Sequence, residues 1–174
     1  MKISAGKANN FISSPPQSVR AILLYGPDMG LVRERAAKLT ISVVDDPKDP
    51  FRISDIPATE LKDDAARLSD EAAAIAFTGG RRVVRIRDAT DSIAAPLTDF
   101  CKHPWGDALV IVESANLTPR SKIRKAFEDA ECAAAIPCYA DEGRALRDVI
   151  SETLGQSNIR VSADAMSFLL ENLG

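Results

Sequence analysis

Hydrophobic and polar positions along this chain switch repeatedly between two periods. Five short runs read as strands: residues 19–25 (VRAILLY), 51–54 (FRIS), 81–87 (RRVVRIR), 108–113 (ALVIVE) and 133–138 (AAAIPC). The first and fourth are apolar at nearly every position, the pattern of strands buried on both faces. The third is β-branched with partial alternation, and the proline of the fifth favours a sheet edge. Between the runs, apolar residues recur every three or four positions. Val32, Ala36, Leu39 and Val43 mark one helix, and Leu61, Ala65, Leu68, Ala72 and Ala76 mark another. Residues 92–101 form a short third, and Ile123, Phe127 and Ala130 give an apolar edge to a basic fourth. Strands separated by helices require crossover connections. The chain therefore reads as α/β, with a five-stranded, mostly parallel sheet flanked by helices.

After Cys138 the strand pattern stops. Asp141 can cap a helix carrying Leu146, Ile150 and Leu154, and Ser162 can cap another carrying Met166, Leu169, Leu170 and Leu173. The expected division is an α/β domain over residues 1–140 and the beginning of a small helical domain over 141–174. Two helices are too few to enclose a core of their own, so the sequence reads as part of a longer protein.

Composition narrows the function classes. Of 174 residues, 45% are hydrophobic and 27% charged, enough for a packed core. No apolar run reaches the roughly 18 residues of a membrane span, and the N-terminus lacks the apolar centre of a secretory signal, so a cytoplasmic protein is expected. The formal net charge of −3 does not mark nucleic acid as the main partner. A DNA contact would have to be local. Two basic clusters are candidates for weighing: Arg81, Arg82, Arg85 and Arg87 around a strand, and Arg120, Lys122, Arg124 and Lys125 on a helix, the second being the possible DNA contact. Cys101, Cys132 and Cys138 are odd in number and lack paired spacing, which argues against a disulfide framework and a zinc site. His103 is the only histidine, and no nucleophile motif accompanies it. No metal and no cofactor are expected.

The segment LLYGPDMGLVRER places a glycine-bearing turn between a strand and a helix, where a phosphate loop would lie. Such a loop needs G-x-x-x-x-G-K-[ST], so that backbone amides wrap the phosphates, Lys neutralises them and a hydroxyl binds magnesium. Counting from Gly26, the required Gly, Lys and Ser/Thr fall on Leu31, Val32 and Arg33. Gly26, Gly30 and Arg33 are thus a degenerate loop, and Asp28 has the wrong sign for a phosphate. With Gly26 and Gly30 alone, the dinucleotide pattern G-x-G-x-x-G is absent too. The strand that would carry the magnesium-organising Asp ends in Glu113 and Ser114. The architecture is that of a P-loop NTPase without its chemistry.

Taken in order, GPDMGLVRE at residues 26–34, GGRRVV at 79–84 and IPCYAD at 136–141 resemble the delta subunit of bacterial DNA polymerase III. The resemblance implies an AAA+-like α/β domain, a small helical domain and a helical collar, the last lying outside this chain. It implies a role in DNA replication: the subunit sits in a clamp loader with other AAA+ subunits, binds the sliding clamp (the beta subunit) and opens it. It hydrolyses no ATP itself, although the holoenzyme is a DNA-directed DNA polymerase, a nucleotidyltransferase. DNA would be a weak or indirect partner.

In that family an apolar pair before the third strand contacts the clamp. Aligning the Gly-Gly-Arg-Arg segment puts the pair at Phe77 and Thr78; shifting by one puts it at Ala76 and Phe77. On an unbroken helix, Leu61, Ala65, Leu68, Ala72, Ile75 and Ala76 share one face, and Phe77 points about 160° away from it. Phe77 would then be an exposed aromatic at the helix end, with Gly79 or Gly80 as its left-handed cap. If instead the helix ends at Ala76, Phe77 turns back to the core. Two rival functions remain: a divergent P-loop NTPase or kinase, which predicts saturable ATP–Mg²⁺ binding, and a structural adaptor with no clamp contact.

Overall fold

The computed structural model describes residues 1–77, 79–139, 144–156 and 159–173. The chain divides into two compact units, Met1–Tyr139 and Ala140–Gly174. The first runs α1 (Ala5–Ser13), β1 (Ala21–Tyr25), α2 (Met29–Ile41), β2 (Ile53–Pro57), α3 (Ala58–Asp63), α4 (Ala66–Ala73), β3 (Val83–Arg87), α5 (Ala94–Lys102), β4 (Leu109–Ser114), α6 (Lys122–Asp129) and β5 (Ala133–Pro137). The five strands form one sheet in the order β2-β3-β4-β1-β5, and every pairing is parallel.

Strand alternation sorts the core into two layers. Ile22 and Leu24 of β1 face one way, onto Ala8 and Ile12 of α1 and Val32, Ala36 and Leu39 of α2. Ala21, Leu23 and Tyr25 face the other way, with Leu61, Leu68, Leu97, Phe100 and Phe127 of the remaining helices. All of β1, β4 and β5 is buried, which accounts for their continuous apolar spelling. β5 is an edge strand, as its proline suggests. Its outer side is partly covered by the N-terminus: Lys2 bridges Ala135, and the Ile3 amide donates to the Ala135 carbonyl at 2.9 Å.

Three local features depart from the periodicity. α1 is an element that the hydrophobic pattern does not announce, because Ala8 and Ile12 are too sparse an apolar signal. β2 begins two residues later than the FRIS run. The Asp49 carboxylate accepts from the Phe51 amide at 2.8 Å, and the Asp49 carbonyl accepts from Arg52 and Ile53, so residues 49–52 are held in a turn. The helix expected through Ala76 is two helices. Asp64 adopts an extended conformation (φ −134°, ψ 92°) and its carboxylate accepts from the Ala66 amide at 3.1 Å, so the chain turns and restarts. α4 then stops at Ala73, with Ala74 extended at φ −64°, ψ 135°. Leu61, Leu68 and Ala72 remain buried on both sides of the break.

The second unit holds α7 (Arg144–Gln156) packed on α8 (Ala163–Leu173). The Ser162 hydroxyl accepts from the Ala165 amide at 3.2 Å, an N-cap contact for α8. Ile150 and Met166 are buried, while Val149, Phe168 and Leu173 are exposed. The expected cap Asp141 lies outside the described residues.

Candidate partner-binding site

The degenerate phosphate loop is closed by its own chain. A methyl group added at Gly26 would lie 1.9 Å from the Cys138 carbonyl oxygen, because the chain leaving β5 crosses directly over this turn. The Cys138 amide donates to the Tyr25 carbonyl at 2.7 Å and fixes the crossing. One carboxylate oxygen of Asp28 accepts from the Leu31 amide at 2.9 Å. The helix end where a phosphate would sit therefore carries a carboxylate of the protein itself. Gly30 lies in the first turn of α2, and a methyl there would approach the same Asp28 oxygen at 3.1 Å. Arg33 is exposed. Arg35 is the buried guanidinium of α2; its Nη1 donates to the Pro137 carbonyl at 2.8 Å and approaches the Cys138 sulfur at 3.5 Å.

At the end of β4, Ser114 Oγ donates to the Ala89 carbonyl at 2.6 Å. Glu113 is only 5% exposed, and its carboxylate makes no hydrogen bond among the described residues. Burial pushes its pKa up, against the pull of Arg87, Arg85 and Arg33. These groups border a groove of about 380 Å³ between α2 and the sheet.

The second sequence candidate has a different character. In the segment joining α4 to β3, Ile75 is 92% exposed and Phe77 is 95% exposed, while Ala76 between them is 4% exposed. The Gly79 amide donates to the Ala76 carbonyl at 3.0 Å, and Gly79 and Gly80 follow with φ of 76° and 81°. The positive φ expected at these glycines is present, but they shape a loop six residues beyond the helix end rather than a helix cap. Phe77 is exposed for the same reason: it stands on a loop and not on the back of a helix. Ala76 is turned inward, which removes it as a contact residue. Thr78 lies outside the described residues. Ile75, assigned by helical periodicity to the buried face, is the large apolar residue that accompanies Phe77. The available signal was the two-residue spacing of Ile75 and Phe77 between alanines, an extended rather than a helical pattern.

The basic clusters separate on inspection. Arg124 is buried: Nε donates to Glu128 at 2.9 Å, Nη1 donates to the Leu117 carbonyl at 3.2 Å, and the guanidinium sits 5.0 Å from the Tyr25 ring centroid. It is spent on internal contacts and is withdrawn as a possible DNA ligand, leaving Arg120, Lys122 and Lys125 exposed. The N-terminus of α6 beside them is already filled, since the Asp91 carboxylate accepts from the Ser121 hydroxyl at 2.7 Å and from the Lys122 and Ile123 amides at 3.1 Å. In the other cluster, Arg82 is held by Glu71, and Arg85 and Arg87 share Asp55. The three thiols are unbridged, and burial pushes that of Cys101 up to about 12, far from a reactive thiolate.

No family model matches the chain. It is 23% identical over 155 residues to a probable DNA polymerase III subunit delta of Rickettsia prowazekii (strain Madrid E), an overlap of 89% of this chain and 46% of that protein. It superposes on the solved Bacillus subtilis DNA clamp loader delta protein with a TM-score of 0.71 and 17% identity, covering 95% of this chain and 51% of the other. The chain resembles a clamp-loader delta subunit. A DNA polymerase III gamma subunit-related protein from Thermotoga maritima aligns more loosely, at a TM-score of 0.54 and 18% identity over 85% of this chain and 49% of its own. The fold is that of the clamp-loader delta structure, with a parallel five-stranded α/β sheet. The chain spans about half the length of these relatives.

Proposed function

We propose that this chain is the part of a clamp-loader delta subunit that engages the sliding clamp during DNA replication in the cytoplasm, and that it neither binds nor hydrolyses ATP. One observation carries the reading: two large apolar side chains, Ile75 and Phe77, stand almost fully in solvent on a loop whose backbone is anchored through Ala76. Exposed apolar groups of this size, presented together, mark a surface that a partner covers. Burying the Phe77 ring in a pocket of the clamp contributes about 1.5–3 kcal/mol. Opening of the clamp and assembly with the other loader subunits would draw on the rest of the protein. The carboxylate of Asp28 at the α2 N-terminus favours this reading over a divergent NTPase, because it holds the place of the phosphate.

The test is to mix the chain with its cognate sliding clamp on a sizing column and by calorimetry. The expected result is a complex with the unaltered chain and none with Phe77→Ala, while ATP–Mg²⁺ gives no binding heat with either. A clamp complex that survives Phe77→Ala would remove the assignment of the site. A saturable ATP–Mg²⁺ heat would favour the NTPase.

A further inference from the structure

β1, β4 and β3 are neighbours in the sheet, and the residues that lead into them meet at its N-terminal edge. Arg20 precedes β1, Asp107 precedes β4 and Arg81 precedes β3. With Gln17, Ile75 and Gly80 they line a cleft of about 750 Å³. Ile75 belongs both to this wall and to the exposed loop, so the cleft and the apolar projection form one surface.

The chemistry of the cleft is lopsided. Arg20 Nη1 and Arg81 Nε both donate to a single acceptor, the Asp107 carbonyl oxygen, at 2.8 and 2.7 Å. Arg81 Nη2 donates to the Val19 carbonyl at 2.6 Å. Two like charges thus converge on one neutral oxygen. Neither guanidinium pairs with the Asp107 carboxylate, and Arg20 Nη2 and Nε and Arg81 Nη1 make no hydrogen bond among the described residues. Burial, and then the charge of Arg20, hold the Arg81 guanidinium below its ordinary value, against the opposing pull of the nearby Asp107 carboxylate. The two forks are pinned from behind by carbonyls, so their spare donors are set in place for a planar, bidentate acceptor.

The frame around them is rigid. Gly106 has φ 60°, and a methyl there would lie 2.1 Å from the Ala72 carbonyl oxygen, so the loop before β4 is pressed against the end of α4. Trp105 on that loop is 51% exposed. An exposed apolar projection beside two arginines with spare donors is a combination that concentrates binding energy in interfaces.

We propose that this cleft is a second seat for the partner that covers Ile75 and Phe77, and that it takes a carboxylate side chain of that partner between Arg20 and Arg81. The inference rests on the loop being the clamp-binding surface. It assigns to the charged cleft the orientation and salt dependence of binding, and leaves to the apolar loop most of the affinity.

Clamp affinity is measured for the unaltered chain, Arg20→Gln, Arg20→Glu and Phe77→Ala, at low salt and at about 0.15 M, with a thermal melt of each. Arg20→Glu is expected to weaken binding roughly tenfold or more at low salt, to flatten the salt dependence and to leave the melt unchanged; Arg20→Gln should fall between. If Arg20→Glu and Arg20→Gln bind as the unaltered chain does, with the same salt slope, while Phe77→Ala does not bind, the cleft is idle and only this inference fails. If Phe77→Ala binds normally, the clamp-binding reading fails and takes the inference with it. A parallel titration with duplex DNA covers the other polyanion: loss of DNA binding in Arg20→Glu with clamp binding intact overturns the carboxylate assignment.

Discussion

The turn after β1 and the loop before β3 lie at opposite ends of the same sheet, and they treat their backbone and side chains in opposite ways. The first stands where α/β proteins place their ligands, outside the carboxyl ends of the strands. There Cys138 covers Gly26, Asp28 fills the helix end and Arg35 fastens α2 to β5. The second stands at the amino ends, where such folds place stabilising contacts. There Ile75 and Phe77 are left in water, and two arginines with spare donors lie in the cleft that Ile75 borders. The carboxyl edge is closed over by its own backbone and side chains, whereas the amino edge leaves large apolar groups exposed. The proposed function sits on the edge that a search for a nucleotide site would pass over.

The sharpest way to break this contrast is at Gly26. If the phosphate-loop turn is now a packing element, Gly26→Ala drives a methyl into backbone that cannot yield. Stability should fall by about 3 kcal/mol or more, lowering the melting temperature by about 6–12 °C for a chain of this size. Thermal unfolding followed by circular dichroism measures it. An unshifted melt would mean that β5 is not pinned across the turn.

The loop before β3 should respond in the reverse manner. The double variant Ile75→Ser, Phe77→Ala removes two exposed side chains, so its stability is expected within about 0.5 kcal/mol of the unaltered chain. Its clamp affinity should fall by at least about 2 kcal/mol, some thirtyfold. A melt that drops with the binding would show these residues to be part of the core, and the contrast between the two loops would vanish.

What was legible beforehand follows the range of the forces involved. The sheet could be read because each strand carries its burial in its own spelling, as β1 and β4 do. The departure of this loop from the phosphate-binding pattern could be read because a missing Lys is visible without coordinates. The break at Asp64 could not, since it depends on whether one carboxylate prefers a turn to a helix, and Leu61 and Leu68 keep their burial either way. Misplacing that helix end hid Ile75. Arg124 was hidden for another reason: it resembles Arg120, Lys122 and Lys125 in a basic run, and its contacts with Glu128, the Leu117 carbonyl and Tyr25, the last far away in sequence, exist only in the folded chain.

Next in size come the helix ends filled by carboxylates. Asp91→Ala should cost about 1 kcal/mol, the usual worth of a helix N-terminal acceptor. Burial alone would raise the Asp91 carboxyl, but the hydrogen bonds from Ser121 and from the Ile123 and Lys122 amides outweigh it and hold the folded value low. A lowered folded pKa stabilises the protein above the unfolded value of about 3.9 and ceases to do so as pH falls through the folded one. The gap in melting temperature between the unaltered chain and Asp91→Ala should therefore be steady at neutral pH and close in acid. A gap independent of pH would make the loss one of packing and not of charge.

Glu113 should give the smallest change and the opposite sign. It lies buried at the end of β4 with three arginines nearby and no hydrogen bond among the described residues. Burial raises its folded pKa more than Arg87, Arg85 and Arg33 lower it. A raised folded pKa contributes stability below the unfolded value, about 4.3, and that contribution is lost as pH rises through the folded value. At pH 7, above the unfolded value, that contribution is diminished, so Glu113→Gln should melt slightly higher than the unaltered chain, with the difference gone below about pH 4. If Glu113→Gln instead melts lower at pH 7, the arginines compensate the charge fully. The carboxyl edge of the sheet would then be held by an ion network as well as by close packing, and its contrast with the open amino edge would be deeper than Gly26 and Asp28 alone make it.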